Sequence, residues 1–165
     1  MQNLKVSSPE EALALVKQNP NALQIVPQEF ITAEMCLIAV TYCGSLLLCV
    51  PEALKTPEIC RAAVKETGLA LECVPDELKT LALCLNAVQN IGIAIEYVPE
   101  KLKTLELCLA AARNAWSGNV FTYIPDELKT QVKQIRLEKS MNKPSFIPGT
   151  DSENKTGSIY LRGTP

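Results

Sequence analysis

Apolar and polar positions along this chain fall into a block that returns at a fixed interval. In the block that opens at Thr56-Pro57-Glu58, the apolar residues Ile59, Cys60, Ala63 and Val64 follow the i, i+1, i+4, i+5 spacing of one helical face. Gly68 is placed to end that helix as a left-handed C-cap. A second, shorter helical segment then carries Leu71, Val74 and Leu78 at i, i+3 and i+7. It is interrupted at Val74-Pro75, because a residue before proline avoids the α region. The Val-Pro or Ile-Pro pairs begin at Val26, Val50, Val74, Val98 and Ile124, steps of 24, 24, 24 and 26 residues. Thr32, Thr56, Thr80 and Thr104 keep the same step, as do Gly44, Gly68 and Gly92. A fixed period in this range marks a solenoid.

The ends of the series are worn. Residues 1 to 27 form an imperfect first unit, in which Ser8-Pro9-Glu10 supplies an N-cap, a first-turn proline and an early acid. Glu11 stands where later units have Met35, Ile59, Leu83 and Leu107, as an outward-facing terminal unit requires. The last full unit carries two extra residues before Gly118, which bring Trp116 alongside Phe121 and Tyr123. After Pro125, Lys133 and Gln134 fall in columns that were apolar, so this segment reads as the C-terminal cap. From residue 140 the chain turns to Ser, Thr, Asn, Gly, Lys and Pro, a composition that buries too little to offset its ordering entropy. The expected fold is therefore all-α: an α-solenoid of about five 24-residue helical repeats over 1–139, followed by a flexible, disordered C-terminal tail over 140–165.

Charge and cysteine usage narrow the function. A net charge of −2 and a pI near 5.3 leave no basic footprint for a nucleic-acid partner. No apolar run is long enough to insert in a membrane, and the start MQNLKVSSPEE lacks the apolar core of a secretory signal. Cys36, Cys60, Cys84 and Cys108 occupy one repeat column; Cys49 and Cys73 occupy another, continued by Tyr97 and Tyr123. Helices packed about 8–10 Å apart hold same-column thiols beyond disulfide reach of about 7 Å. With no histidine and no CxxC, the thiols read as buried core in a reducing, cytoplasmic setting, and no metal or other cofactor is implied. Phosphate loops, dinucleotide fingerprints and nucleophile elbows are missing from the sequence.

The pattern TxELCLAAVxxxGxALEYVPEELK, as it runs through about residues 8 to 130, resembles the tandem short helical repeat family catalogued as domain of unknown function forty-one sixteen. This chain departs from the commoner members in its Val-Pro pairs and its column cysteines. The resemblance implies a helical repeat fold and an effector-like protein of an intracellular bacterium, translocated into a host cell. It brings no catalytic residues. The polar tail with its few apolar islands is similar to type IV secretion signals.

Partner-binding candidates come from departures within the repeat. Ile31 stands in the column of Lys55, Lys79, Lys103 and Lys129, which reads as a solvated charge ladder along one edge. Tyr42 replaces Glu66, Asn90 and Asn114, and Leu48 replaces Glu72, Glu96 and Thr122. If those columns face water, Ile31, Tyr42 and Leu48 make an exposed apolar surface near the N-terminal end. The cluster of Trp116, Phe121 and Tyr123 is the second candidate. The sequence thus reads as a non-enzymatic module that binds another protein. A small enzyme using Cys43, the one thiol outside the columns, and an RNA-reading repeat are the alternatives.

Overall fold

In a computed structural model, residues 6–115 and 118–141 are described, with side chains placed for 6–115 and 119–138. Each unit begins with an α-helix: α1 Pro9–Gln18, α2 Ala33–Tyr42, α3 Pro57–Glu66, α4 Leu81–Asn90 and α5 Leu105–Arg113. A final helix, α6, spans Asp126–Met141. Threonine sets the start of α2 to α5, because Thr32, Thr56, Thr80 and Thr104 each accept, through Oγ1, a hydrogen bond from the backbone N–H three residues on. Ser8 does the same for α1, accepting from the Glu11 N–H at 3.3 Å.

The return segments are 3-10 helices rather than broken α-helices. Gly44–Cys49, Gly68–Cys73 and Gly92–Tyr97 form one set, and Glu52–Leu54, Asp76–Leu78 and Glu100–Leu102 form the next. Between them the residue before proline is extended, as at Val74 with φ −80° and ψ 129°. The glycine column does not provide left-handed caps. Helix α3 ends at Thr67, which is extended with φ −144° and ψ 120°, and Gly68 opens the 3-10 helix that follows. What requires glycine is proximity: a Cβ on Gly44, Gly68 or Gly92 would lie 2.3, 2.3 or 2.1 Å from the carbonyl oxygen of Ala63, Ala87 or Ala111 in the next unit.

Consecutive units stack α on α and 3-10 on 3-10, with α2 on α3, α3 on α4, α4 on α5 and α5 on α6. The core is a continuous strip, its layers repeated as Met35, Cys36, Ala39 and Val40, then Ile59, Cys60, Ala63 and Val64, and so on to Leu107 and Cys108. Leu47, Leu71 and Ile95 close it from the 3-10 side. Side chains also clip units together: Asn90 Oδ1 accepts from the Gly68 N–H at 2.9 Å, and Lys17 pairs with Glu34 at 2.9 Å.

At the C-terminal end, identical hexapeptides take different forms. PDELKT is a proline-led 3-10 turn plus N-cap at 75–80, yet at 125–130 it runs directly into α6. In the first case Leu83, Cys84, Ala87 and Val88 bury the face that follows. In the second those positions are Lys133, Gln134, Leu137 and Glu138, all exposed, as the cap reading requires. Burial moves instead to Leu128, Val132 and Ile135, an i, i+4, i+7 stripe that only a continuous helix can form. Helix α6 passes the expected boundary at 139, and the expected flexible tail lies beyond it, outside the described residues.

Candidate functional site

The lysine column corrects one part of the sequence reading. Lys55, Lys79 and Lys103 are not a solvated ladder; their side chains keep only 8, 10 and 4 % exposure, and each Nζ reaches the surface to meet Glu52, Asp76 or Glu100 at 2.6, 2.8 and 2.6 Å. The four methylenes fill space between units while the ammonium stays paired at the rim. Lys129 repeats the contact with Asp126 at 2.6 Å in a more open setting. These pairs hold the Asp76 and Asp126 carboxyls below their ordinary range, by the lysine hydrogen bond first and its charge second. Ile31, half-buried against the core, occupies the space of the missing lysine stem. Its acid partner is missing too, since Gln28 stands where Glu52, Asp76 and Glu100 stand. Ile31 is therefore packing, not part of an exposed surface.

Tyr42 and Leu48 are exposed, at 63 and 75 %. They sit on different elements, Tyr42 in the last turn of α2 and Leu48 near the far end of Gly44–Cys49, separated by roughly 10 Å of 3-10 rise. The register accounts for Tyr42: the Asn90 side chain caps the Gly68 N–H, but the residue 22 positions before Tyr42 is Pro20, which has no N–H to cap. Leu48 has no such account. Its neighbour along the 3-10 edge was missed in the sequence: Ile25, 60 % exposed, lies in the column continued by Cys49, Cys73, Tyr97 and Tyr123. The signal was present, because every later member of that column is half-buried or more polar.

Farther along this edge Leu69 is still 40 % exposed, while Glu72 and Glu96 take the place of Leu48. Tyr97 lies beside Glu72 of the preceding unit, and Tyr123 beside Glu96. Burial and these acids together push both phenols above their ordinary range. Tyr123 also borders an open groove of about 350 Å³ with Glu96, Glu100 and Asp126.

Of the expected aromatic cluster, the two described members do not share a face. Phe121 and Tyr123 are two positions apart on the 3-10 helix Gly118–Tyr123, so they point in different directions. Phe121 faces α6, where Lys133 Nζ and the Arg136 guanidinium lie 5.6 and 5.9 Å from its ring centroid. With Leu137 they line a cleft of about 410 Å³. Trp116 lies outside the described residues.

The column thiols of Cys36, Cys60, Cys84 and Cys108 are fully buried. Burial pushes them all up, Cys36 to about 11, so these four offer no thiolate near neutral pH. Cys43 is half-buried at the end of α2. No helix among the described residues is long and apolar enough to cross a membrane.

Compared with known proteins, the model of a family described as Domain of unknown function (DUF4116) matches residues 33–79 and again 83–129. The match corrects the resemblance drawn from the sequence in unit and extent. It contains two tandem copies, each spanning two 24-residue steps, rather than single units from about residue 8 to 130. No curated protein and no solved structure matches the chain.

Proposed function

The chain belongs to the DUF4116 family, and from that premise we propose that it is a non-enzymatic protein-binding module, using the exposed 3-10 edge of its first two units. Leu48 carries the reading. It is 75 % exposed in a column whose later members are Glu72, Glu96 and Thr122, so solvation alone gives no reason for leucine there. A leucine that docks another chain recovers the hydrophobic free energy that its exposure forgoes, about 1.5–3 kcal/mol for full burial. Ile25 on the same edge extends the apolar area, and Tyr42 at the end of α2 is exposed as well. An effector setting inside a host cell is part of the proposal and rests on the resemblance alone.

A photo-crosslinking amino acid at Ser45 tests it. Ser45 and Leu48 are three residues apart on a 3-10 helix and share a face. Introduced there, the probe should crosslink a discrete protein from host-cell lysate, whereas the same probe at Gln89 on exposed α4 should not. Equal, diffuse labelling from both positions would remove the assignment.

A further inference from the structure

The 3-10 edge has a polarity that runs along the stack. The exposed column Gln24, Leu48, Glu72, Glu96 and Thr122 places an apolar side chain one unit before two carboxylates. Its companion column changes in step, from Cys73 beside Leu48's unit to Tyr97 at Glu72 and Tyr123 at Glu96. The lysines nearby do not neutralise these acids, because Lys79, Lys103 and Lys129 are bound to Asp76, Glu100 and Asp126. Among the described residues, Glu72 and Glu96 lie beside Tyr97 and Tyr123 and pair with no ammonium or guanidinium.

We infer that this edge docks a cationic segment of another protein, with an apolar anchor on Leu48 followed by one basic side chain at Glu72 with Tyr97 and a second at Glu96 with Tyr123. The inference rests on the binding-module reading and specifies the partner's chemistry. A neutral apolar segment laid across the edge would strip water from two carboxylates without replacing it, which is costly. A basic one supplies the counter-charge, and the half-exposed phenol rings add a face on which a cation can rest. Membrane surfaces and nucleic acids are anionic, so the same carboxylates repel them. Stacked units are about 8–10 Å apart, which an extended chain at about 3.3 Å per residue covers in three residues. The partner pattern is thus an apolar residue with basic residues three and six positions on.

The test uses the full chain and a fluorescein-labelled peptide, Leu-Gly-Ser-Arg-Gly-Ser-Arg, with a reference peptide bearing Glu for both Arg, read by anisotropy at low salt. The Arg peptide should bind at least about tenfold more tightly than the reference, with affinity falling as salt rises. Glu72→Gln with Glu96→Gln should weaken it about tenfold while melting stays unchanged, since both side chains are exposed. Leu48→Ser should weaken it about fivefold. Glu58→Gln with Glu106→Gln removes the same charge from exposed positions on α3 and α5 and should change nothing. Equal binding of the two peptides, or equal loss in both double variants, would overturn the inference, even if crosslinking from Ser45 still supported the wider reading. Self-association of the chain at assay concentration, or tighter peptide binding by a chain ending at Met141, would also overturn it by naming a second copy or the chain's own C-terminal segment as the occupant.

Discussion

Gly68 and Ala87 meet backbone to backbone: a Cβ at residue 68 would sit 2.3 Å from the Ala87 carbonyl oxygen, with Ile91 Cγ2 at 2.9 Å. That approach sets how closely the 3-10 layer of one unit lies on the α-helix of the next. Because the obstructing atom is backbone carbonyl inside a packed helix, it cannot step aside alone. Gly68→Ala should therefore cost about 3 kcal/mol, at the upper end of overpacking losses. Equilibrium urea unfolding measures this, and a variant as stable as the parent would show that the units can slide apart without penalty.

Lys103 stabilises through its stem more than through its charge. Lys103→Met keeps the volume and should leave stability within about 1 kcal/mol, whereas Lys103→Ala should lose roughly 2 kcal/mol by opening a gap between units. The paired acids make the fold acid-sensitive. Asp76 is held below its ordinary 3.8 by Lys79, so its contribution is complete above that value and is lost as pH falls through the lowered one. Melting temperatures between pH 6 and pH 2 should fall less steeply for Asp76→Asn with Asp126→Asn than for the parent chain.

The repeat made much of this legible and also marks where legibility stopped. The helix start at Thr56-Pro57-Glu58, the buried cysteine column and the pre-proline breaks follow from local chemistry, so comparing columns sufficed. The glycines were misread because sequence alone does not distinguish a left-handed residue from a crowded one. Lysine was misread because its charge is visible in the letter and its burial depends on the neighbouring unit. The joint change to Gln28 and Ile31 was the available clue, since a ladder facing water gives no reason for both partners to change together. PDELKT at 75–80 and 125–130 shows the limit most plainly, because tertiary packing chose the conformation of identical residues. Of the candidate surface, Tyr42 and Leu48 could be read from contrast with their siblings. Ile25 was as readable, since Val26-Pro27 fixes its register, but the Cys and Tyr that follow in its column make a weaker contrast than the acids that follow Leu48.

Cys36, Cys60, Cys84 and Cys108 should resist iodoacetamide at pH 8 until the array unfolds, while Cys43 reacts earlier. Peptide mapping after timed labelling separates the two groups. Rapid native modification of the column thiols would mean that the helices part readily. In the same column, Cys84→Ala should cost about 1 kcal/mol for lost packing, and Cys84→Asp several times more, because a buried charge there has no partner.

The binding claim is tested most directly by capture with Tyr42→Glu combined with Leu48→Glu. Both side chains are exposed, so the circular dichroism spectrum and melting temperature should match those of the parent chain. The protein that crosslinks from Ser45 should then be recovered by the parent and lost from the double variant. Undiminished recovery by a folded double variant would contradict the account, and an unfolded variant would show that Tyr42 and Leu48 belong to the core after all.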